Sequence, residues 1–328
     1  YTAVGDCEPL LSKHFTTVYP QGFVRCEGTL LPAGYTKYAE EILNMEIRCD
    51  DVWVCSFPKT GTTWTQEMVW CIANDLDFEG AKVQHGVRFP FLDLEFLVDG
   101  VKPQRQVGDE TELSGHEMPR FMANSIGYIK DTPSPRFIKT HLPFHLLPLQ
   151  LQRGETGAKI VYVMRNAKDT CISYFHHVKL FESFEGNFDD FATLFLNDSL
   201  VDAPFWKHIL GYWEKRDSKN MLVLKYEEMK KDLHAVIQVV AKFLGKELVE
   251  DQVSLLRDHL SFEKMKNNPA VNFEDHIKML ISLGLGNETG TFMRSGQVGE
   301  WKTKMSEELI EQFDIWTEKQ LRGSGFDY

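Results

Sequence analysis

Short apolar runs alternate with stretches of helical periodicity along this chain of 328 residues. The apolar runs predict strands near residues 52–57, 136–140, 159–164 and 221–225. Apolar side chains at helical spacing predict helices near residues 62–74, 168–181, 231–244 and 304–320. Because the run from Ile160 to Met164 is continuously apolar, it is typical of a strand buried on both faces. The alternation predicts an α/β fold in which helices flank a central parallel sheet.

Two polar stretches interrupt this alternation. Residues 98–117 are charged and contain glycine, and residues 267–290 combine an NNP turn with a short amphipathic patch and several glycines. We interpret both as lid-like insertions beside a site, although ordinary surface loops have the same composition. Since no repeat or low-complexity linker separates the elements, a single domain over residues 1–328 is expected.

Composition narrows the class of protein. The net charge of -12 argues against a nucleic-acid partner, because such proteins normally present a basic surface. No apolar run reaches the roughly 18 residues that a membrane span needs, so no membrane partner is expected. The six cysteines form no paired CxxC motif, which favours reduced thiols and a cytoplasmic location. The chain begins with Tyr1 rather than methionine, so we expect further sequence upstream.

The strongest chemical signal is the stretch FPKTGTTW, residues 57–64, between a predicted strand and a predicted helix. Unpaired NH groups at a helix N-terminus attract anions, and Lys59 adds a full positive charge beside them. The order differs from the Walker A loop, in which the lysine follows the second glycine. The segment therefore indicates a phosphate site of another kind, or an ordinary strand-to-helix turn with a solvated lysine.

A second segment, PRFIKTHLPFHLL, follows another predicted strand at residues 135–147. Lys139 and His141 are two residues apart on an extended chain and should therefore face the same side. Histidine is suited to removing a proton near neutral pH. The alternative for a single histidine is a structural, hydrogen-bonded group.

Two further segments carry arginine. Arg165 ends the predicted strand 159–164, the position at which open α/β sheets bind ligands, and its planar guanidinium could hold a phosphate. A salt bridge to Asp169 is the alternative. The segment RSGQVGEWK, residues 294–302, combines Arg294 with two glycines three residues apart. It suits either an anion-binding loop or a flexible surface loop.

These four segments resemble, in the same order, the motifs of the cytosolic sulfotransferases that use 3'-phosphoadenosine 5'-phosphosulfate (PAPS). The resemblance extends over roughly residues 35–320 and is strongest to invertebrate members, including an insect retinol dehydratase. It implies a nucleotide-binding core similar to a P-loop, PAPS as donor, 3',5'-adenosine bisphosphate (PAP) as product, and no metal. Ser295 departs from the family pattern, since lysine is usual there, and Leu260 stands where threonine is common.

The resemblance also implies roles for individual residues. His141 would be the general base, while Lys59 and Lys139 would stabilise charge on the transferring group. Aromatic faces such as Trp64 and Phe262 would stack on adenine, although core packing is the alternative for any single aromatic residue. The implied donor-binding residues are Lys59, Thr60, Gly61, Thr62, Thr63, Trp64, Arg165, Ser173, Tyr226, Phe262, Arg294, Ser295 and Gly296.

The implied acceptor is a small lipophilic compound with a hydroxyl group, such as a phenol, a steroid, a retinoid or another alcohol. Its pocket would include Phe57, Phe91, Phe144 and His177. Three alternatives remain open: a dehydratase that acts through a transient sulfate ester of an allylic alcohol such as retinol, a small-molecule kinase, and a non-catalytic nucleotide-binding protein.

The expected oligomeric state depends on a difference from the family's sequence pattern. The segment KTKMSEELIE, residues 302–311, corresponds to the family's dimer motif, but Glu307 stands where the motif has an apolar valine. A carboxylate there should repel its symmetry mate. We expect a monomer or a non-standard homodimer.

Overall fold

The computed structural model describes residues 1–2, 8–16, 18–101, 119–282 and 290–326. An antiparallel hairpin of β1 (Phe23–Cys26) and β2 (Thr29–Pro32) comes first. The central sheet is formed by β3 (Val52–Cys55), β4 (Phe137–Thr140), β5 (Lys159–Met164) and β6 (Met221–Lys225), in the order β4-β3-β5-β6. All three pairings within this sheet are parallel, which confirms the predicted fold class.

Helices surround the sheet. The longer ones, of seven residues or more, are Glu8–His14, Tyr35–Leu43, Thr62–Ala73, Ser125–Asp131, Ala167–Phe181, Phe188–Leu196, Phe205–Trp213, Leu233–Leu244, Glu250–His259, Glu274–Ser282 and Glu307–Leu321. The shorter ones are His85–Arg88, Leu94–Leu97, Arg120–Ala123, Leu149–Gln152, Tyr226–Lys231, Phe262–Lys266 and Trp301–Lys304, with 3-10 turns at Gly80–Lys82 and Phe144–Leu146.

Both faces of the sheet are buried. Successive residues of a strand point to opposite faces, so the two cores can be identified from alternate positions of one strand. In β3, Trp53 and Cys55 belong to one hydrophobic core, whereas Val52 and Val54 belong to a second. All four positions of β3 are buried. Such a strand needs apolar residues throughout, and this is the reason that the sequence shows a continuous run there.

The strand order creates a reversal beside β3. From this central strand the chain moves outward to β4 and then crosses back to β5 on the other side. Open α/β sheets bind ligands at such a point, outside the carboxyl ends of the strands. The segments that begin at Ser56, His141, Arg165 and Tyr226 immediately follow the four strands, so all four emerge at this edge.

The predicted element positions agree with the structure, and the differences lie at element ends. Strand β3 ends at Cys55 rather than near residue 57. The region predicted as one helix over 304–320 contains two, Trp301–Lys304 and Glu307–Leu321. The second begins at its own N-cap, where Ser306 Oγ accepts a hydrogen bond of 3.2 Å from Leu309 N. A serine at this position favours a new helix start over continuation of the first helix.

The two predicted insertions are only partly described. Residues 102–118 lie outside the described residues, and so do residues 283–289 of the second insertion. The described part of that insertion includes the helix Glu274–Ser282. The lid role of both stretches and the domain extent stay predictions. Within the described ranges, no helix is both long enough and apolar enough to cross a bilayer.

Candidate active site

The loop after β3 is shaped by two residues in the left-handed region. Lys59 has a φ of 68° and Gly61 has a φ of 109°, and the helix Thr62–Ala73 starts directly after this glycine. A Cβ at position 61 would lie 2.7 Å from Cδ2 of Tyr226. Because no side chain fits there, the glycine lets the loop turn tightly and brings its backbone against the ring.

Thr60 fastens the loop to the sheet. Its buried hydroxyl lies 2.8 Å from the carbonyl oxygen of Phe57 and 2.9 Å from that of Val163 in β5, and donates to them. The hydroxyl is therefore committed to the fold. The Thr60 side chain does not line the cavity described next. Any contact of Thr60 with bound PAPS would therefore be made by its backbone NH.

One cavity of about 240 Å³ opens at the carboxyl ends of the strands. It brings together most of the residues that the sequence singled out. Those lining it are Lys59, Gly61, Thr62, Thr63, Trp64, Phe91, Lys139, His141, Arg165, Ser173, His177, Tyr226, Phe262, Arg294, Ser295 and Gly296.

Two predicted acceptor residues do not line this cavity. Phe57 is 1% exposed and packs edge-on against the rings of Phe205 and Tyr174 within the core. Phe144 packs edge-on against Tyr212 and lines a different cleft. Both residues lie within the segments that carry the site motifs, but tertiary packing turns their rings away from the cavity. Their placement in the acceptor pocket is corrected accordingly.

The two lysines are partly buried and line this cavity. Burial, together with the charges of Lys139 and Arg165, lowers the pKa of Lys59 to about 7. Burial lowers the pKa of Lys139 to about 8. Each ammonium lies over an aromatic ring, with Lys59 Nζ 4.0 Å from the centre of Phe292 and Lys139 Nζ 3.8 Å from the centre of Phe91. Because buried cations need a negative partner, this arrangement favours an anionic ligand.

His141 is held in one orientation. Its Nδ1 lies 2.8 Å from the carbonyl oxygen of Ser56, which can only accept, so Nδ1 carries the proton and donates. Nε2 is then the lone-pair nitrogen. Burial and the neighbouring charge of Lys139 hold the pKa of His141 well below its usual range. The imidazole is therefore neutral near pH 7 and is able to accept a proton.

A buried carboxyl group fixes the backbone beneath this histidine. Asp93 Oδ2 accepts a bond of 2.6 Å from His141 N, and its Oδ1 accepts one of 2.5 Å from Thr140 Oγ1. Burial raises the pKa of Asp93 to about 7. Asp93 lies in the segment PFLDLEF, and sequence reasoning singled out only Phe91 from it. The sequence feature that could have indicated Asp93 is its position as an acidic residue within the mainly apolar segment PFLDLEF.

Arg165 joins β5 to the glycine-containing loop. Its Nη2 donates to Gln297 O at 2.7 Å, and its guanidinium carbon lies 4.4 Å from the centre of the Tyr226 ring. The alternative salt bridge to Asp169 is long, at 3.8 Å, and Asp169 also accepts from Gly299 N at 2.7 Å. Arg165 Nε is buried without a hydrogen-bond partner among the described residues, which suits an anion at this place.

Arg294 lies on the same loop and pairs with Glu300. Its Nη1 donates to Glu300 Oε1 at 2.8 Å, and Nη2 donates to Oε2. The predicted anion-binding arginine is thus bound bidentately to a carboxylate. An incoming phosphate would share or replace this partner, so the contribution of Arg294 to affinity should be smaller than that of Arg165.

Aromatic rings complete this end of the cavity. Trp64 Nε1 donates to Leu260 O at 2.9 Å, which ties the helix Thr62–Ala73 to the segment before Phe262. Trp64 also meets Tyr226 edge-on at 5.7 Å between ring centres. A Cβ at Gly296 would lie 2.5 Å from Cδ2 of Phe262, so the glycine loop packs closely on that ring. The arrangement provides ring faces around a flat ligand.

A buried ionic cluster supports the same two segments from behind. Glu67 lies on the helix Thr62–Ala73, which follows the loop that carries Lys59 (the lysine loop). Its carboxylate lies 2.6 Å from His259 Nε2 and 3.0 Å from His85 Nε2 and also accepts from Arg88. Burial alone would raise the pKa of Glu67, but these hydrogen bonds and the Arg88 charge hold it well below the usual range. His259 immediately precedes Leu260, whose carbonyl receives Trp64. The cluster therefore positions the aromatic rings relative to the lysine loop.

Sequence reasoning missed another part of the cavity wall. Tyr19, Glu182, Asp202 and Phe292 line it as well. The Tyr19 hydroxyl donates to Glu182 Oε2 at 2.8 Å across 163 positions of sequence. Such a pairing leaves no local signal in the chain.

The cavity gathers cationic side chains and aromatic rings at the strand ends. The family model described as the sulfotransferase domain matches residues 49–325. The chain belongs to the sulfotransferase family, as the resemblance predicted, and is a transferase.

Several relatives align with this chain over most of its length. The luciferin sulfotransferase of Photinus pyralis is 48% identical over 300 residues, which cover 92% of this chain and 79% of that protein. Human sulfotransferase 1C2 is 32% identical over 307 residues, covering 92% and 93% respectively. Crystal structures of retinol dehydratase, one with androsterone and inactive cofactor PAP and one with retinol and PAP, superpose with a TM-score of 0.88 at 33% identity. These cover 98% of this chain and 95% of the matched chains.

Proposed function

We propose that this protein transfers a sulfuryl group from PAPS to the hydroxyl of a small lipophilic acceptor, with His141 as general base. One observation carries the proposal. A neutral imidazole with its Nδ1 proton bound to Ser56 O lines the same cavity as Lys59 and Lys139. A base and cationic clamps in one cavity are the groups that in-line transfer to a hydroxyl requires.

The donor fits the residues that are present. Lys59 and the NH groups of Thr62 and Thr63 would hold the 5' end, at the start of a helix where such groups lack internal partners. Arg165 and Ser173 would hold the 3'-phosphate, with help from Arg294, and this role gives the buried Arg165 Nε a partner. The ring faces of Trp64 and Phe262 would enclose the adenine. The PAP complexes of the retinol dehydratase neighbours support this choice of nucleotide.

The chemical step follows from these positions. The acceptor oxygen attacks sulfur as its proton passes to His141 Nε2, so a new oxygen–sulfur bond forms. The bond between sulfur and the bridging phosphate oxygen breaks, and PAP leaves with that electron pair. Lys59 and Lys139 stabilise negative charge on the bridging and sulfuryl oxygens, as cationic clamps do in phosphoryl transfer. The low pKa of His141 keeps it in the accepting form at neutral pH.

The test uses labelled donor with a panel of phenols, steroids and alcohols. His141→Ala should lower kcat by about 100-fold to 10,000-fold, since this is the usual contribution of a general base. PAP binding should persist in this variant. His234→Ala is the matched control, because His234 lies on the helix Leu233–Leu244 and does not line the cavity. Normal sulfation by His141→Ala would remove the assignment, and PAP binding without transfer by the wild type would indicate a non-catalytic protein.

A second candidate is the dehydratase, which the retinol dehydratase neighbour with bound retinol favours. The two activities share the transfer step and differ in the fate of the ester. With retinol as acceptor, a stable sulfate ester indicates a sulfotransferase alone, whereas loss of sulfate with formation of a hydrocarbon indicates the dehydratase. Chromatography of the retinoid products distinguishes them.

A further inference from the structure

Two carboxyl groups, the buried Asp202 and the poorly exposed Glu182, line the same cavity. Asp202 is 4% exposed, and the Glu182 side chain is 14% exposed. The backbone of Asp202 adopts a φ of 69°, which is uncommon for a residue with a side chain, although aspartate tolerates it better than most. Acidic groups are unexpected in a cavity that otherwise gathers cations for an anionic donor.

Neither carboxyl group has a full cationic partner. Within the described part of the chain, no lysine or arginine nitrogen lies within salt-bridge distance of Glu182 or Asp202. Glu182 accepts from the Tyr19 hydroxyl at 2.8 Å and lies 3.7 Å from His177 Nε2. Burial, and the charge of Lys59 beside it, hold the pKa of His177 well below its usual range, so this histidine is neutral. The charge of Lys59 acts on Glu182 and that of Lys139 acts on Asp202, but only from beyond salt-bridge distance, so neither acid has a directly bound cation among the described residues.

The protonation behaviour of the two acids agrees with this geometry. Burial raises the pKa of Glu182 to about 7. Burial, and repulsion from neighbouring carboxylates, raise the pKa of Asp202 well above its usual range. A purely apolar acceptor would remove the remaining water from both groups without replacing its hydrogen bonds, at a cost in binding. An anionic acceptor would add repulsion.

Aromatic rings surround the same region. Tyr19 and Tyr174 line the cavity with the two acids, and Phe91 lies edge-on to His141 at 5.1 Å between ring centres. Such rings can stack on an aromatic substrate, and their faces also attract organic cations. Aromatic walls with two carboxyl groups are the chemistry that recognises an arylalkylamine.

We infer that the acceptor is a phenol or related aromatic alcohol that also carries a protonated amine, with its hydroxyl at His141 and its ammonium between Glu182 and Asp202. This inference rests on the proposed function and specifies its acceptor class. The ammonium supplies donors to both carboxyl groups and favours their ionised forms. Lys59 and Lys139 remain available to the sulfuryl group.

The test compares three acceptors that share one phenol ring and differ at the far end: tyramine (cationic), 4-ethylphenol (neutral) and 3-(4-hydroxyphenyl)propanoate (anionic). Each is assayed at pH 7 with PAPS and the full chain. We expect kcat/KM for tyramine to exceed that for 4-ethylphenol by about tenfold or more, with the propanoate lowest, since one charged hydrogen bond is worth that factor.

Variants of the two acids test whether they cause the preference for tyramine. Asp202→Asn and Glu182→Gln should each lower the ratio of kcat/KM for tyramine to that for 4-ethylphenol by about tenfold. Glu185→Gln is the matched control. Like Glu182, Glu185 follows the end of the helix Ala167–Phe181, but it is exposed and does not line the cavity. Its ratio should equal that of the wild type.

The outcomes separate the two levels of the proposal. Sulfation of 4-ethylphenol as efficient as that of tyramine, or an unchanged ratio in both acid variants, overturns the inference and leaves the proposed function intact. No transfer to any acceptor in either the phenol set or the wider panel overturns both. If the variants do not fold, the wild-type ratio and the thermal stabilisation of the PAP complex decide, because tyramine should raise Tm more than 4-ethylphenol does.

Discussion

Binding of PAP should draw protons into the site, because the free cavity holds a lysine that is largely deprotonated above neutral pH. Burial and the nearby charge of Lys139 lower the pKa of Lys59 to about 7. A bound phosphate places negative charge beside this ammonium and raises its pKa again. The bound state then holds more protons than the free state, so affinity falls as the pH rises from 7 to 9.

The size of the effect can be worked from these pKa values. At pH 8, Lys59 with a pKa of about 7 is only about one-tenth protonated in the free site, and about nine-tenths protonated once its pKa exceeds roughly 9. It therefore takes up about 0.8 proton. Lys139, whose pKa is about 8, is half protonated and adds up to roughly 0.5 more. The phosphates of PAP contribute little at this pH, since their second pKa is near 6.

Calorimetry measures this uptake directly. PAP is titrated into the protein at pH 8 in HEPES and in Tris, and the dependence of the binding enthalpy on buffer ionisation enthalpy gives the number of protons. We expect about 0.8 to 1.3 protons. Lys59→Arg is the matched control, because arginine keeps its charge at every working pH and should lower the uptake by about 0.8 while retaining binding. An uptake near zero in the wild type would refute the view that Lys59 contacts the phosphate.

Three further variants test other parts of the site. Glu67→Gln should lower the free energy of unfolding by about 3 kcal/mol in urea titration, because it leaves Arg88 buried without its anion, and a loss under about 1 kcal/mol would contradict the cluster's role. Gly61→Ala should weaken PAP binding at least about tenfold in calorimetry, since its Cβ meets the Tyr226 ring, and unchanged affinity would show that the loop adapts. Arg165→Lys should raise the KM for PAPS about tenfold with a much smaller change in kcat, whereas an equal loss in both would place this residue in the chemical step.

The sheet, and the convergence of the predicted donor-binding residues on one cavity, were predictable because each depends on local sequence. Strand β5 is buried on both faces, and its apolar run from Ile160 to Met164 reflects this burial. The positions of Lys59 and His141 follow from motifs that directly succeed strands. Parallel strands bring their carboxyl ends to one edge, so local motifs far apart in sequence converge without further information.

The acceptor side was not predictable for the opposite reason. Phe57 and Phe144 lie within the motif segments, yet the direction of each ring depends on partners such as Phe205 and Tyr212 that lie far away in sequence. The pairing of Tyr19 with Glu182 likewise joins distant segments. Pocket walls of this kind are defined by tertiary packing, which neither periodicity nor a short motif reports.

A crystal structure of the PAP complex would show whether the cavity holds the nucleotide. We expect one PAP molecule at the strand ends, with its 5'-phosphate on Lys59 and the start of the helix Thr62–Ala73, its 3'-phosphate on Arg165, and its adenine against Trp64. His141 Nε2 should face the 5'-phosphate from the acceptor side. A PAP molecule bound elsewhere on the protein, or bound in the reverse orientation within the cavity, would show that these residues do not form the donor site.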